Sequence, residues 1–311
     1  MEFSENNDEK EKIEKLEIHE KKENISGVYL FCSYDLANST AYKKYSGWIN
    51  LYYNFFIRCS DEMSKNFKNI KVWKIIGDEI LFYLKITKEN IKDLYNFPKK
   101  IYEILTCNLI DKFIDGDYEK KLYLSVKATL WSAYVIEFDP TNGGKYDNTT
   151  NIVFKERDLI FYKSKSSNSI VLDFWGPDID TGFRIASKSS HRGSLAIDAK
   201  LAYLLSNNNL NDKTTEGINN AIDENSKNMR IVSYEELKGI WNERPYPIVW
   251  YQENWKENSF EYDDKHDIVR KIKEEIKGRK DTHLENNIKE LEKVLNDVGK
   301  IRESKELLEN V

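Results

Sequence analysis

VWKIIGDEILFYLKI, residues 72–86, holds two apolar, β-rich runs hinged on Gly77-Asp78. Runs of this kind joined by such a pair predict a β-hairpin. Working outward, VYLFCSYDL (28–36) is a short apolar run that predicts a buried strand. Between the two, Tyr45, Trp48, Ile49, Tyr52, Phe55 and Phe56 fall on one broad face of a helix expected from Thr40 to about Met63. Downstream, NIKDLYNFPKKIYEILTCNLIDKF (90–113) reads as a second helical region, interrupted near Pro98. KLYLSVKATLWSAYVIEF (121–138) is β-rich, and VLDFWGPDIDTGFRIAS (171–187) reads as a strand, a loop and a helix start. SLAID (194–198) opens a strand before a helix through Leu201–Leu205, and IVSYEELKGIWNERPYPIVWYQENW (231–255) gives two β-like segments around a Lys-Gly turn. The order β-α-β-β-α-β-(β)-α-β-α-β-β is an α+β plan: a largely antiparallel sheet covered by helices on one side.

Composition shifts divide the chain into three parts. Residues 1–25 form a charged leader, 26–262 the body, and 263–311 a tail in which Ile268, Ile272, Ile276, Leu284, Ile288, Leu291, Leu295 and Val298 recur at helical spacing. That tail predicts one or two amphipathic helices, broken near Gly278, that need a surface to pack on. Within the body, 206–230 is rich in Asn, Asp and Ser and reads as a flexible surface insertion.

The 311 residues with 40% hydrophobic content suffice for a sizeable core. A net charge of −5 argues against a general nucleic-acid binder, without excluding a local basic pocket for a small polyanion. Cys32, Cys59 and Cys107 match no zinc spacing and cannot all pair, so reduced thiols are expected. The mixed-charge leader has no apolar stretch of signal-peptide or membrane-spanning length, which predicts a cytoplasmic protein with no membrane insertion. His19, His191, His266 and His283 are scattered and form no ligand pair at helical spacing.

Two carboxylates stand out by placement. Asp35 ends an apolar strand and is followed by Leu36 and Ala-Asn-Ser-Thr, and Asp78 sits at a hairpin tip. Either alone is ordinarily a turn former. Together they offer a two-metal site its carboxylates, on rigid elements that can share divalent cations roughly 3.5–4 Å apart. Ser39 and Thr40 are good helix N-caps and open a helix whose first amides suit phosphate oxygens. Arg184 falls on the first turns of an expected helix behind Gly176-Pro177, where a guanidinium fork would suit a phosphate.

These segments, in order and spacing, resemble the class III nucleotide cyclases, the family of most adenylyl and guanylyl cyclases. The resemblance covers about residues 28–255, with only the motif segments close. It implies a ferredoxin-like palm, with Asp35, the Leu36 carbonyl and Asp78 as ligands of two Mn²⁺ or Mg²⁺ ions per active site. It also implies that Lys74 and Asp173 contact the base, and that Arg184, eleven residues after Asp173, steadies the transition state. By looser alignment, Lys238 would hold the terminal phosphates. Asp180 stands where the family has a ribose-orienting asparagine, and a carboxylate there accepts a hydroxyl but cannot donate. The stretch WGPDIDTGFRIAS, the closing PYPIVWYQENWKENSFEYDD (245–264) and the lack of a fused sensor domain are most similar to the pyrimidine cyclases of the Pycsar antiphage system. That likeness implies conversion of UTP to 3′,5′-cyclic UMP and pyrophosphate, and a downstream cyclic-nucleotide-binding effector acted on through the product. It further implies a head-to-tail homodimer whose two sites each take Asp35 and Asp78 from one protomer and Lys74, Asp173 and Arg184 from the other. Tyr42, seven residues after Asp35, would narrow the base pocket. Residue identity at 74 and 173 favours adenine, whereas the overall likeness favours uracil over cytosine over adenine. An ordinary adenylyl cyclase, a cytidylate cyclase and a degenerate nucleotide-sensing module are the competing readings.

Overall fold

The computed structural model describes residues 25–107, 109–110, 124–137, 150–157, 170–188, 193–207, 216–253 and 284–300. The leader, the tail before Leu284 with its break at Gly278, and His191 lie outside them.

The central strand is β1 (Gly27–Ala37), antiparallel both to β3 (Glu79–Lys85) and to β4 (Ser125–Glu137). Its apolar run is continuous because both faces are covered. Val28, Leu30, Cys32 and Tyr34 enter one core cluster, and Tyr29 and Phe31 enter a second on the opposite face. The hairpin is formed as expected: β2 (Lys71–Ile76) pairs with β3 through Ile76 and Glu79, across a two-residue loop whose Gly77 has a positive φ of 65°. Glycine at that first loop position carries the conformation without steric cost.

The sheet continues from β4 through β7 (Leu195–Ile197) and β9 (Pro245–Tyr251) to β8 (Met229–Glu236). Pairing is antiparallel except where β4 meets β7 and β5 (Asn151–Arg157). Strand β5 also pairs with β6 (Ile170–Trp175), and its NIVFKER sequence gave no strand signal among its charges. The architecture is thus α+β with a mostly antiparallel sheet, as the element order predicts.

Four corrections concern the helices. The first helical region is split into a single turn, α1 (Ser39–Tyr42), and α2 (Trp48–Asn66), because Gly47 takes a left-handed φ of 87°. The second, α3 (Ile91–Thr106), runs through Pro98 without a break. Helices cover both faces of the sheet: α2 and α3 lie on the first, and α4 (Pro177–Lys188) sends Ile179 and Phe183 into the second cluster. On that side Gly182 packs so closely that a Cβ there would overlap the Trp131 ring.

The fourth lies in the polar stretch 206–230, where residues 216–228 are a helix, α6 (Glu216–Asn228), packed beside α3 and α5 (Ala199–Ser206). Buried Asn225 donates from Nδ2 to the carbonyls of Tyr95 (2.8 Å) and Leu205 (3.2 Å), which ties the three helices together. In the tail, α7 (Leu284–Asp297) buries Leu291 and Leu295 and packs on α5 and α6, which meets the docking expectation for this segment.

Candidate active site

The ends of three strands assemble the acidic cluster. Asp35 on β1 is the Cα partner of Glu79 on β3 and of Lys127 on β4, so all three side chains emerge on the same face. Asp78 joins from the hairpin loop, where its carbonyl accepts from Leu36 N (3.4 Å) and its Oδ2 from the Ser39 hydroxyl. Ser39 is therefore not the N-cap of α1. Asn38 takes that place in a left-handed conformation, leaving the buried Ser39 hydroxyl to hold Asp78.

The Lys127 ammonium lies 3.0 Å from Asp35 Oδ2 and donates to the Ala186 carbonyl of α4 at 3.1 Å. Burial pushes the Asp35 carboxyl above its ordinary range; Lys127 pulls it down, and the charge and hydrogen bonding of Asp78 push it up. Burial, with the Asp35 charge beside it, raises Glu79 in the same sense. Lys127 thus pairs directly with Asp35 and its charge also reaches Glu79.

A second constellation lies on the same sheet face. A β-bulge between Val72 and Lys74 inserts Trp73, and Lys74 aligns with Leu81 of the second core cluster. Trp73 rests against Phe31, Phe174 and Phe183, at ring-centroid distances of 5.5, 5.2 and 5.9 Å. Lys74 Nζ lies 2.8 Å from Asp173 Oδ1 and 4.1 Å from the Trp73 ring centroid. Asp173 Oδ1 also accepts from Trp73 Nε1 and from its neighbour's amide Phe174 N, both at 3.0 Å, and Oδ2 accepts from Trp175 Nε1 at 3.3 Å.

Among the described residues, the side chains of the remaining candidates make no hydrogen bond or ion pair with these clusters. Asp180 and Arg184 sit one turn apart on the exposed side of α4, and among the described residues no hydrogen bond or ion pair joins Arg184 to Asp35 or Asp78. Arg184 is the eighth residue of that helix, just past its second turn. Lys238 is exposed in the β8–β9 connection, at the sheet edge opposite the hairpin. Tyr42 is buried in the core cluster on the other face, 5.5 Å from the Tyr45 ring, and Thr40 is exposed. In Leu36 the side chain is buried core.

Lys127, Glu79, Trp73 and Trp175 are absent from the sequence-derived candidates. A signal existed for Lys127, a lone charge inside the apolar strand SVKATLWSAYV. Glu79 needed the β1–β3 register, Trp73 the bulge, and Trp175 the β6 strand that sets it beside Asp173.

The donor set suits a hard divalent cation. Asp35, Asp78 and Ser39 offer oxygen only, and Glu79 Oε1 is buried without a hydrogen-bond partner. Among the described residues no group of three or more His, Cys, Asp or Glu side chains is preassembled to coordinate a metal. Also among the described residues, no helix is long and apolar enough to cross a membrane.

No protein-family model matches the chain, and no curated protein matches it. Among solved structures, the fold is similar to that of the adenylyl cyclase CyaB from P. aeruginosa, at 13% identity over 74% of this chain and 96% of that one, with a TM-score of 0.48. It is similar also to the guanylyl cyclase Cya2, at 11% identity, 75% and 97% coverage and a TM-score of 0.47. The guanylate cyclase domain of RhGC from Catenaria anguillulae, solved with GTP, follows at 11% identity, 73% and 97% coverage and a TM-score of 0.45. Similarity at this level says nothing of catalysis, which has to be argued from the side chains.

Proposed function

We propose that the protein is a metal-dependent nucleotide cyclase that converts UTP to 3′,5′-cyclic UMP and pyrophosphate. The observation that carries this reading is that Asp35, Asp78 and Lys127 meet at one end of the sheet face that also bears Lys74 and Asp173. Carboxylates for cations, an ammonium for phosphate oxygens and polar and aromatic groups for a base are the parts an intramolecular phosphoryl transfer needs.

Asp35 and Asp78, with the Leu36 carbonyl, would hold Mn²⁺ or Mg²⁺, and Ser39 keeps Asp78 oriented toward them. When bound, the cations supply acidity for the ribose 3′-hydroxyl and charge neutralisation for the phosphates. The chain itself does the rest. Lys127, paired with Asp35, meets triphosphate charge there. Arg184, exposed on α4, is free to reach the α-phosphate of a nucleotide held by a second copy, and Asp180 one turn earlier accepts a ribose hydroxyl. Lys238 on the outer turn holds the terminal phosphates in the same arrangement.

A homodimer is part of the proposal. Ile49, Tyr53 and Ile57 recur at one-turn spacing on α2 and are exposed, as are Val72, Ile75 and Ile76 on the hairpin. Apolar groups left in water at such spacing favour burial against another surface. A second copy, placed head to tail, would cover them and complete two sites. The product would act in antiphage defence through a cyclic-nucleotide-binding effector. Supplying the four ribonucleoside triphosphates with Mn²⁺ and identifying the products by mass spectrometry tests the reading.

A further inference from the structure

Away from the acidic cluster, a second polar network grips the start of α4, the helix that carries Arg184. Asp178, the second residue of α4, accepts from Asn151 Nδ2 (2.8 Å) and from the ammonium of Lys200, the second residue of α5. Asn151 is buried at the start of β5, and its Oδ1 accepts the Asp178 amide at 2.9 Å. That amide is one of the first-turn donors a helix leaves unsatisfied, so β5 caps α4 across the fold. The approach requires glycine at 176, where φ is 143° and a Cβ would overlap the Asn151 backbone and side chain. The Lys200 side chain is 5% exposed, a costly place for an ammonium unless it is paired. Its charge also reaches buried Asp198, which accepts from the Tyr246 hydroxyl and the Leu201 amide.

A buried ion pair adds little stability over an apolar pair of the same shape; its better-attested use is to fix one arrangement. Apolar burial is non-directional, so Ile179 and Phe183 alone do not set how α4 is rolled or slid along the sheet. The Asp178 carboxylate, held by Lys200 and Asn151, does set it at one end, and Lys127 holds the Ala186 carbonyl near the other. Arg184 lies between these anchors, six residues or about 9 Å of helix beyond Asp178. We infer that Lys200 is a positioning residue for catalysis: through Asp178 it sets the register of α4, and so the place at which Arg184 is presented to the nucleotide. The inference rests on the role proposed for Arg184 and extends the site to a side chain that never meets the substrate.

The test is a double-mutant cycle on the full-length protein with Mn²⁺ and whichever triphosphate the parent turns over fastest, pairing Lys200→Met with Arg184→Ala. Alone, Lys200→Met should lower kcat by roughly 10²-fold, the loss that about 1 Å of misplacement brings, and leave KM little changed. In the Arg184→Ala background most of that loss should vanish, because residues that act through one another are not additive. Mere loss of folded protein would lower kcat by the same factor in both backgrounds. Lys200→Met combined with Asp178→Asn removes both charges, strands neither, and should show the same coupling. Hydrogen exchange reads the anchor without catalysis: α4 amides should exchange faster in either variant, and those of α2 on the other sheet face should not. An undiminished kcat, equal factors in both backgrounds or unmoved α4 exchange would overturn the inference and leave the cyclase reading standing. Faster α4 exchange in the variants, with no cyclic nucleotide even from the parent, would sustain the anchor and sink the cyclase reading.

Discussion

Asp35 and Lys127 are Cα partners across the β1–β4 ladder, and their side chains form an ion pair of 3.0 Å at the mouth of the acidic cluster. The same ammonium holds the Ala186 carbonyl near the end of α4, so one side chain ties the metal-site strands to the helix that carries Arg184. Low exposure on both sides of the pair (14% and 23%) keeps solvent from screening it fully.

Lys127→Met removes the ion-pair partner of Asp35, beside which Asp78 and Glu79 also carry negative charge. The metal-free protein should lose about 1–3 kcal/mol of stability, the usual cost of stranding a charge-assisted bond. Urea unfolding with and without Mn²⁺ checks this, because the divalent ion should recover much of the loss by binding the freed carboxylates. A variant as stable as the parent without metal would show that the pair holds nothing.

Arg184 is solvent-exposed within its own protomer, so its removal should spare folding and strike turnover. Arg184→Ala is expected to lower kcat by roughly 10²–10³, or about 2.7–4 kcal/mol of transition-state stabilisation. Mixing it with an Asp35→Ala chain should restore activity through the one intact shared site per mixed dimer. Steady-state kinetics of each chain and of the mixture separate a shared site from a self-contained one.

Two glycines in helices should respond oppositely to alanine. Gly182 of α4 faces the Trp131 ring with no room for a Cβ, so Gly182→Ala should cost about 1–3 kcal/mol by overpacking. Gly217 of α6 has open space around it, so Gly217→Ala should stabilise by about 0.5–1 kcal/mol. Thermal midpoints read both. Because α4 must shift to admit the methyl, Gly182→Ala should also lower turnover, whereas Gly217→Ala should not.

Asp198 supplies a pH signature away from the site. It is buried, caps α5 by accepting from Leu201 N, and accepts from the Tyr246 hydroxyl at 2.5 Å. Burial pushes its carboxyl above the ordinary range, against the pull of Lys200. A raised folded-state value means that the protonated form is favoured by folding. Its stabilising contribution is full below about pH 3.9 and is lost as pH rises through the folded value. Relative to Asp198→Asn, the parent should therefore lose unfolding free energy as pH climbs from about 4 toward 7. Urea midpoints across that range measure it, and parallel curves would contradict the sign.

What the residues disclosed, and what they hid, follows from the range of the interactions. The both-face burial of β1 and the Gly77 turn are local properties, so the hairpin, the central strand and both aspartates could be read directly. Helix α6 was hidden by composition: its Asn and Asp content reads as polar loop, though Ile218, Ala221, Ile222 and Asn225 keep helical spacing toward α3 and α5. Pro98 misled because tertiary packing of Leu94, Phe97 and Ile101 holds α3 together across it. Lys127 beside Asp35 and Trp73 beside Asp173 were out of reach as partners, since each lies about a hundred residues away and meets its carboxylate only once register and the bulge are fixed.

The most direct trial of the account is product analysis from UTP with Mn²⁺, comparing the parent chain with Asp35→Asn. The account predicts 3′,5′-cyclic UMP and pyrophosphate in equal amounts from the parent, and at least a roughly 100-fold loss in the variant, since removing a metal ligand should cost no less than removing an outer-shell partner. Absence of any cyclic nucleotide from all four triphosphates, or undiminished product from Asp35→Asn, would contradict it.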